Sequence, residues 1–556
     1  MNAIFLLVGG VATLVLGYAF YSRFVAGYLY GLDDSRKTPA HELRDDIDFV
    51  PTNRFVLWGH HFTSVAGAAP IVGPAIAVIW GWVPAFIWVT LGTVFFAGVH
   101  DFGALWASVR NKGESIGSVT GVMIGPRARA LFMVVIFLLL LMVNGAFAVV
   151  IAKLLVADPA AVIPVWGAIV VALIIGQALY RFGVGLLWPS IIGITVLYAL
   201  IFVGQAYPIT LPASVFGLSP NAQWIILLFA YAGVASLLPV WMLLQPRDYI
   251  NGLQLFIALG LLYAATLIGA PTVVAPMLND ALPESTPSIV PLLFVTIACG
   301  AISGFHGLVA SGTSSKQLEK ESDARLVGYG GAVGEGLLAL AAIICTVAGF
   351  SSTEEWREVY TAFGKGGVTA FVSGGGKILS NGLGLPADLG KTVLSVMAIL
   401  FAATTMDTGL RLQRYVVQEA GKMMKVPALD NGVVATLVAL ASCVALSFAG
   451  GKEGSGGMII WPLFGTTNQL LAGLTLAVVS VMIAKRGKSI AFTAIPLVFL
   501  LAMSVFALVI QLQKFVMDGN WFLVVLDIVI LVAASWVAVE AGLVLMKGPK
   551  EVTTDA

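Results

Sequence analysis

The chain has 556 residues, 59% of them hydrophobic and 11% charged, a mean hydropathy of +0.96, and 30 Lys and Arg against 29 Asp and Glu. That composition excludes an ordinary soluble domain and describes an integral membrane protein seated in a lipid bilayer. The near-zero net charge offers no basic surface to nucleic acid, and without a G-x-x-x-x-G-K-S/T segment an ATP-driven pump is a poor reading.

In chain order, stretches apolar enough to cross a bilayer fall near 3–22, 57–79, 82–107, 130–152, 161–180, 185–206, 223–244, 252–273, 289–312, 326–350, 388–410, 431–450, 457–484, 490–513 and 521–546, about fifteen in all. The first lacks a basic start and a small-residue cleavage site, so it reads as a retained span rather than a signal peptide. Residues 24–56 carry both charge signs and are expected to form an ordered or amphipathic cytoplasmic connector. Residues 351–387 read as a long outer loop, and neither segment is large enough for an independent catalytic domain. Cys299, Cys345 and Cys443 stand singly in apolar sequence and read as core packing; no metal and no organic cofactor is expected.

Positive charges orient the spans. With the loop after the first span in the cytoplasm, 23 of the 30 basic residues fall on the inner side, including Lys547 and Lys550 near the end of the chain. The expectation is an N-terminus outside and a C-terminus inside.

Four stretches are interrupted. In GHHFTSVAGAAPIVGPA (59–75), Pro70 and Pro74 lack amide hydrogens and disfavour helix in the residue before them. A break between Gly67 and Gly73 is predicted, flanked by His60, His61, Thr63 and Ser64. In CGAISGFHGLVASGTSSKQLEK (299–320), Ser303, His306, Ser311, Gly312, Thr313 and Ser314 crowd a second apparent break. The second and ninth spans enter the membrane from opposite sides, as inverted repeats require, and freed backbone at that depth, tolerated only where protein or a watery cavity satisfies it, points to a site. The third interruption, FAATTMDTGLRLQRY (401–415), places Thr404, Thr405 and Asp407 at the end of a span; Arg411, one turn on, makes Asp407 either a structural ion pair or a coupling carboxylate. The fourth, GMIIWPLFGTTNQL (457–470), carries Thr467 and Asn468.

Two further polar groups lie inside spans. His100 and Asp101 can share a proton, although a histidine there can equally serve only to bond neighbouring helices. Glu335 has no basic neighbour in sequence and reads as protonatable, on a face with Gly328 and Gly331 that permits close helix approach.

The same interrupted segments resemble those of the carbon starvation protein A family of bacterial membrane transporters. GHHFTSVAGAAPIVGPA, HDFGALWASVRNKGESIG (100–117), CGAISGFHGLVASGTSSKQLEKESDARLVGYG (299–330), TTMDTGLRLQRYVVQE (404–419) and IIWPLFGTTNQLLAG (459–473) stand in that family's order, from about residue 50 to 485. Ala69, where a Gly is often seen, and Thr408, where Ala is common, depart from the pattern. The resemblance implies uptake of peptides or pyruvate across the bacterial inner membrane in carbon starvation, proton coupling, and a five-plus-five inverted-repeat (LeuT-like) fold.

The expectation is therefore an all-α polytopic membrane protein and a secondary transporter, not an enzyme. Residues 1–56 hold the first helix and connector, 57–206 and 289–484 the two repeats, 207–288 two linking helices, and 485–556 two C-terminal helices and a tail. A small carboxylate-bearing substrate would sit near the midplane. Its charge would be met by free half-helix amides near Gly67–Gly73 or Gly312–Ser315, since no Arg falls mid-span in this reading. His61, His100, Asp101, Glu335 and Asp407 are the candidates for the coupling proton. Sodium at the hydroxyls of residues 311–315 is the alternative ion, and a hydrolase using Ser303 or Ser311 with His306 is a remote one, as no nucleophile elbow is present. Oligomeric state is not legible.

Overall fold

The computed structural model describes residues 1–546 and is helical, with three isolated β-bridges and no strand among those residues. Lys547 and Lys550 lie outside the described residues, as does the side chain of Cys299; Cys345 and Cys443 are free and buried.

The helices run in the order α1 (Ile4–Tyr30), α2 (Arg54–Ala66), α3 (Ala69–Trp80), α4 (Trp82–Val109), α5 (Pro126–Ala157), α6 (Pro159–Arg181), α7 (Leu187–Ala206), α8 (Pro220–Leu237) and α9 (Leu244–Gly269). There follow α10 (Ile289–Thr296), α11 (Gly304–Gly312), α12 (Glu321–Ala348), α13 (Gly367–Leu383), α14 (Ala387–Met424), α15 (Gly432–Phe448), α16 (Trp461–Lys485), α17 (Ala491–Met517) and α18 (Trp521–Met546). Twelve of them are long and apolar enough to cross a membrane, and α2 with α3 forms one further bent pair. The stretch at 289–312 is split into α10, a turn of helix at Ala298–Ala301, and α11, while α15 is only 17 residues long.

Burial sorts these helices into a centre and a periphery. The apolar window of α14 is entirely buried and those of α12 and α16 are 94% buried, against 28% for α1. Small residues make this possible. On α12, a Cβ at Gly331 would lie 2.7 Å from the His61 ring and one at Gly334 2.8 Å from Phe62, so α2 lies directly on that face.

Three boundaries differ from expectation. The span expected to end at 410 continues as α14 to Met424, because charged residues lower hydropathy without ending a helix. The eighth span begins at Leu244 instead of 252, which brings Arg247 and Asp248 into it. Residues 367–383, expected as loop, form α13, whose glycines pack against Cys345, Leu394 and Lys391.

Both predicted breaks have a local cause. The α2–α3 pair bends by 45° at Gly67, whose φ of 56° and ψ of −158° suit glycine alone; Pro70 then sits in the first turn of α3, where its missing N–H costs nothing. The second break lies at Ile302–Ser303, both extended, and α11 starts at Gly304. Half-helix amides therefore begin at Gly304, not near Gly312 as expected. A Cβ on Gly304 would fall 2.5 Å from the Leu471 side chain and 2.7 Å from the Ala472 amide. Gly304→Ala is expected to push α11 off α16 and cost about 1–3 kcal/mol, read as a lower thermal midpoint in detergent. The fourth interruption is confined to Ile460, and Thr467 and Asn468 are helical in α16.

The 24–56 connector is ordered. Its 44–53 segment pairs with residues 316–318, the Val50 and Thr52 amides donating to the Lys316 and Gln317 carbonyls. Asp48 accepts from Arg411 at 2.9 Å and from the Tyr415 hydroxyl at 2.6 Å. Burial alone would raise the Asp48 carboxyl, but Arg411, Lys316 and the Tyr415 bond outweigh it and hold it below the usual carboxylate range. A depressed acid stabilises fully above its unfolded value of about 3.9 and loses that contribution only as pH falls through its folded value. This clasp is therefore expected to be constant from pH 8 to 5. Asp48→Asn should speed amide exchange of residues 44–53 roughly tenfold throughout that range, matching about 1.5 kcal/mol for one charge-assisted hydrogen bond.

Candidate functional site

Two buried polar networks flank the α2–α3 break. In the first, His60 Nδ1 lies 2.7 Å from Asp248 Oδ2, and the Ser64 hydroxyl reaches the same oxygen at 3.3 Å. Arg247 donates to Asp248 Oδ1 from Nε (3.2 Å) and Nη2 (2.9 Å), while its Nη1 reaches Asp407 Oδ2 and, at 2.7 Å, the Tyr231 hydroxyl. Arg247, Asp248 and Asp407 are at most 2% exposed. Charges so deep in a membrane bundle persist only when paired.

The expected Asp407–Arg411 pair is thus not formed. Asp407 turns to Arg247 on α9, and Arg411 turns to Asp48 and to the Ala235 and Leu238 carbonyls. Sequence reasoning also missed Arg247, Asp248 and Tyr231; the adjacent Arg–Asp in QPRDY, ahead of an apolar run, was the available signal.

The second network is a chain of imidazoles and carboxylates. His100 Nδ1 lies 2.7 Å from Asp101 Oδ1, Asp101 Oδ2 lies 2.8 Å from His306 Nδ1, and His306 Nε2 lies 3.1 Å from Glu335 Oε2. The last contact has ion-pair distance without hydrogen-bond alignment; Glu335 Oε1 and His100 Nε2 are buried with no hydrogen-bond partner. Glu335 therefore does have a basic neighbour, supplied by α11. His61 stands at the edge of this chain, its Nδ1 2.8 Å from the Ser314 hydroxyl and its ring on Gly331, one turn from Glu335.

Other expected residues fall elsewhere. Thr63 bonds the Gly59 carbonyl within α2, Thr404 accepts from the Asn251 side chain at 3.2 Å, and Thr405 donates to the Ser64 carbonyl at 3.0 Å, which satisfies one backbone group next to the bend. The Phe305 amide donates to Asn468 Oδ1 at 2.8 Å, so Asn468 and Ser303 already fill the start of α11. No side chain caps α3. Gly73 lies against the Thr296 carbonyl and Thr467 bonds the Leu463 carbonyl, so both serve helix packing. Ser311 donates to Gly307 and Thr313 to Val309. Neither Ser303 nor Ser311 bonds His306 through its hydroxyl. Among the described residues no cluster of three His, Cys, Asp or Glu has the geometry of a metal centre.

Two cavities approach from opposite ends. One of about 430 Å³, with Lys112, Glu419 and Lys422 at its wall, reaches Ser311 and Gly312; the other, of about 480 Å³, is mainly apolar, with Lys153 at its wall, and reaches Ala69 and Val72. On α5, Leu140 borders the first and Val150 the second, so roughly 15 Å of closed protein separates them. Phe147 stands in that interval, against Gly67 and the rings of Trp461 and Phe464. Such a closed centre between two approaches suits alternating access.

The comparisons agree with a transporter. The family model for carbon starvation protein CstA matches residues 2–360 and 350–507. A peptide transporter CstA of Helicobacter pylori is 34% identical, covering 92% of this chain and 82% of its own. The pyruvate/proton symporter BtsT of Escherichia coli is 31% identical with the same two coverages, and the peptide transporter CstA of that organism is 32% identical, covering 87% and 77%. A manganese transporter of Eremococcus coleocola superposes with a TM-score of 0.49 at 12% identity, over 91% of this chain and 99% of that one, a likeness that bears on neither topology nor cargo. The chain belongs to the carbon starvation protein CstA family of membrane transporters.

Proposed function

We propose that this protein is a proton-coupled importer of small carboxylate-bearing nutrients, pyruvate or short peptides, in the bacterial inner membrane, serving growth when carbon is scarce. The observation that carries the reading is the buried chain His100–Asp101–His306–Glu335, which joins α4 to α11 and α12. The Glu335–His306 pair can pass between carboxylate–imidazolium and acid–imidazole without changing its net charge. Its one proton can thus shift between α11 and α12 at constant charge, and releasing or taking up that proton changes the pair's charge by one, the change that coupling requires. The names of the relatives, peptide transporter and pyruvate/proton symporter, support the same cargo and ion.

In this reading α2–α3 and α10–α11 are the broken helices of two inverted repeats, 57–206 and 289–484, in a fifteen-span chain with its N-terminus outside. The Lys153 cavity is then the outer approach and the Lys112 cavity the inner one. The substrate's carboxylate then lies beside the α2–α3 bend, near His60, His61 and Ser64. A monocarboxylate entering with one proton carries no net charge and is accumulated about tenfold per pH unit. Each further proton adds about 2.3 kcal/mol per 100 mV of membrane potential.

Cells lacking their own pyruvate and peptide carriers provide the test. Uptake conferred by this chain should survive replacement of external sodium and collapse on adding a protonophore; loss on sodium removal with persistence under protonophore would make it a sodium carrier.

A further inference from the structure

Asp248 and Asp407 share one guanidinium but are held very differently. Asp248 has Arg247 Nε and Nη2 on one oxygen and His60 with Ser64 on the other. Asp407 meets Nη1 through Oδ2 and has the Tyr231 hydroxyl as its one other partner, while its Oδ1 is buried with no hydrogen-bond partner. Asp248 is thus fixed, whereas Asp407 fills one position on a guanidinium whose fork suits any carboxylate.

That position lies beside the bend. Ser64 Oγ is 3.1 Å from Thr408 Oγ1, and a Cβ on Gly67 would lie 2.7 Å from Thr405 Oγ1, so the turn of α14 bearing Asp407 borders the break. The charged and titratable groups facing Asp407 are Arg247 and Asp248 from α9, Tyr231 from α8 and, through Asp248, His60 from α2; Arg411 on its own helix is turned away to Asp48.

We propose that Arg247 is the carboxylate receptor of the transport site and that Asp407 is its placeholder, yielding Nη1 to the substrate's carboxylate as it takes up a proton. Asp407 cannot leave as an anion, because a lone charge there is prohibitive; it leaves as the acid, its proton drawn from the side on which substrate enters. Together with the proton at Glu335, the cycle carries two protons per monocarboxylate and one net positive charge.

This rests on the carboxylate reading above and is tested on the purified full-length protein with labelled pyruvate and labelled dialanine as probes. Wild-type affinity should weaken up to tenfold per pH unit on the alkaline side. Asp407→Asn should bind at least tenfold tighter at pH 8, lose that slope, and take up one proton fewer per molecule bound in weakly buffered solution. Arg247→Lys, which keeps the charge but not the fork, should bind at least tenfold more weakly, and serves if the Asn variant does not fold. Unchanged slope and proton uptake in Asp407→Asn, or unchanged affinity in Arg247→Lys, would make the cluster a structural ion pair and overturn the proposal alone. Failure of the wild type to bind either probe would overturn the carboxylate reading with it.

Discussion

Glu335→Gln is expected to lower pH-driven accumulation tenfold for each pH unit imposed, while exchange of substrate across the membrane continues. The substitution preserves size and removes only the ability to change charge. His306 keeps its 2.8 Å contact with Asp101, so α4 and α11 stay joined. Without an acid on α12 to trade with His306, the central chain no longer changes protonation as the protein changes conformation, and one proton drops out of the cycle. Losing one coupled proton removes about 1.4 kcal/mol of driving force per pH unit, the origin of the tenfold figure. Counterflow of labelled pyruvate into vesicles preloaded with unlabelled pyruvate measures exchange, and net uptake under a pH gradient measures coupling. Wild-type accumulation in the variant would move the coupling proton away from Glu335.

Gly67→Ala is expected to reduce uptake more than tenfold and to destabilise the fold by about 3 kcal/mol. Two causes act together. The backbone at φ 56° and ψ −158° is nearly closed to any residue with a Cβ, a cost of roughly 1–3 kcal/mol. That Cβ would also lie 2.7 Å from Thr405 Oγ1 and 2.8 Å from the Phe147 ring, in a centre with no room to relax. Relief would straighten the bend or shift Phe147, and either change disturbs the closed interval between the two cavities. Thermal unfolding in detergent and initial uptake rates measure the two parts.

How much of this was legible depends on which signals are local. The Gly67 bend could be read because Pro70, Pro74 and neighbouring glycines are local punctuation, and His60 and His61 were found beside it for the same reason. The second break falls in the segment that its polar residues mark, but the new helix starts eight residues before Gly312, since a run of Ser, Thr and Gly at 311–315 looks more like unwound chain than the Ile302–Ser303 step that is unwound. Arg411 is the one partner that sequence spacing offers Asp407, because spacing shows only partners on the same helix. The actual partner of Asp407, Arg247, lies 160 residues earlier. Arg247 itself was hidden because Arg, Asp and Tyr together depress hydropathy enough to push a predicted span boundary past them. The His306–Glu335 contact was hidden too, since it depends on how α11 and α12 pack. Composition and punctuation thus reveal where a membrane chain departs from plain helix, and the pairing of its buried charges emerges only in three dimensions.

The most direct measurement is made on the purified protein in proteoliposomes, following labelled pyruvate or dialanine entry and lumenal acidification together in sodium-free buffer with an imposed pH gradient. Saturable entry of at least one of these carboxylates is expected, accompanied by at least one proton per molecule. Entry of neither, or entry with no substrate-dependent acidification, would contradict proton-coupled import.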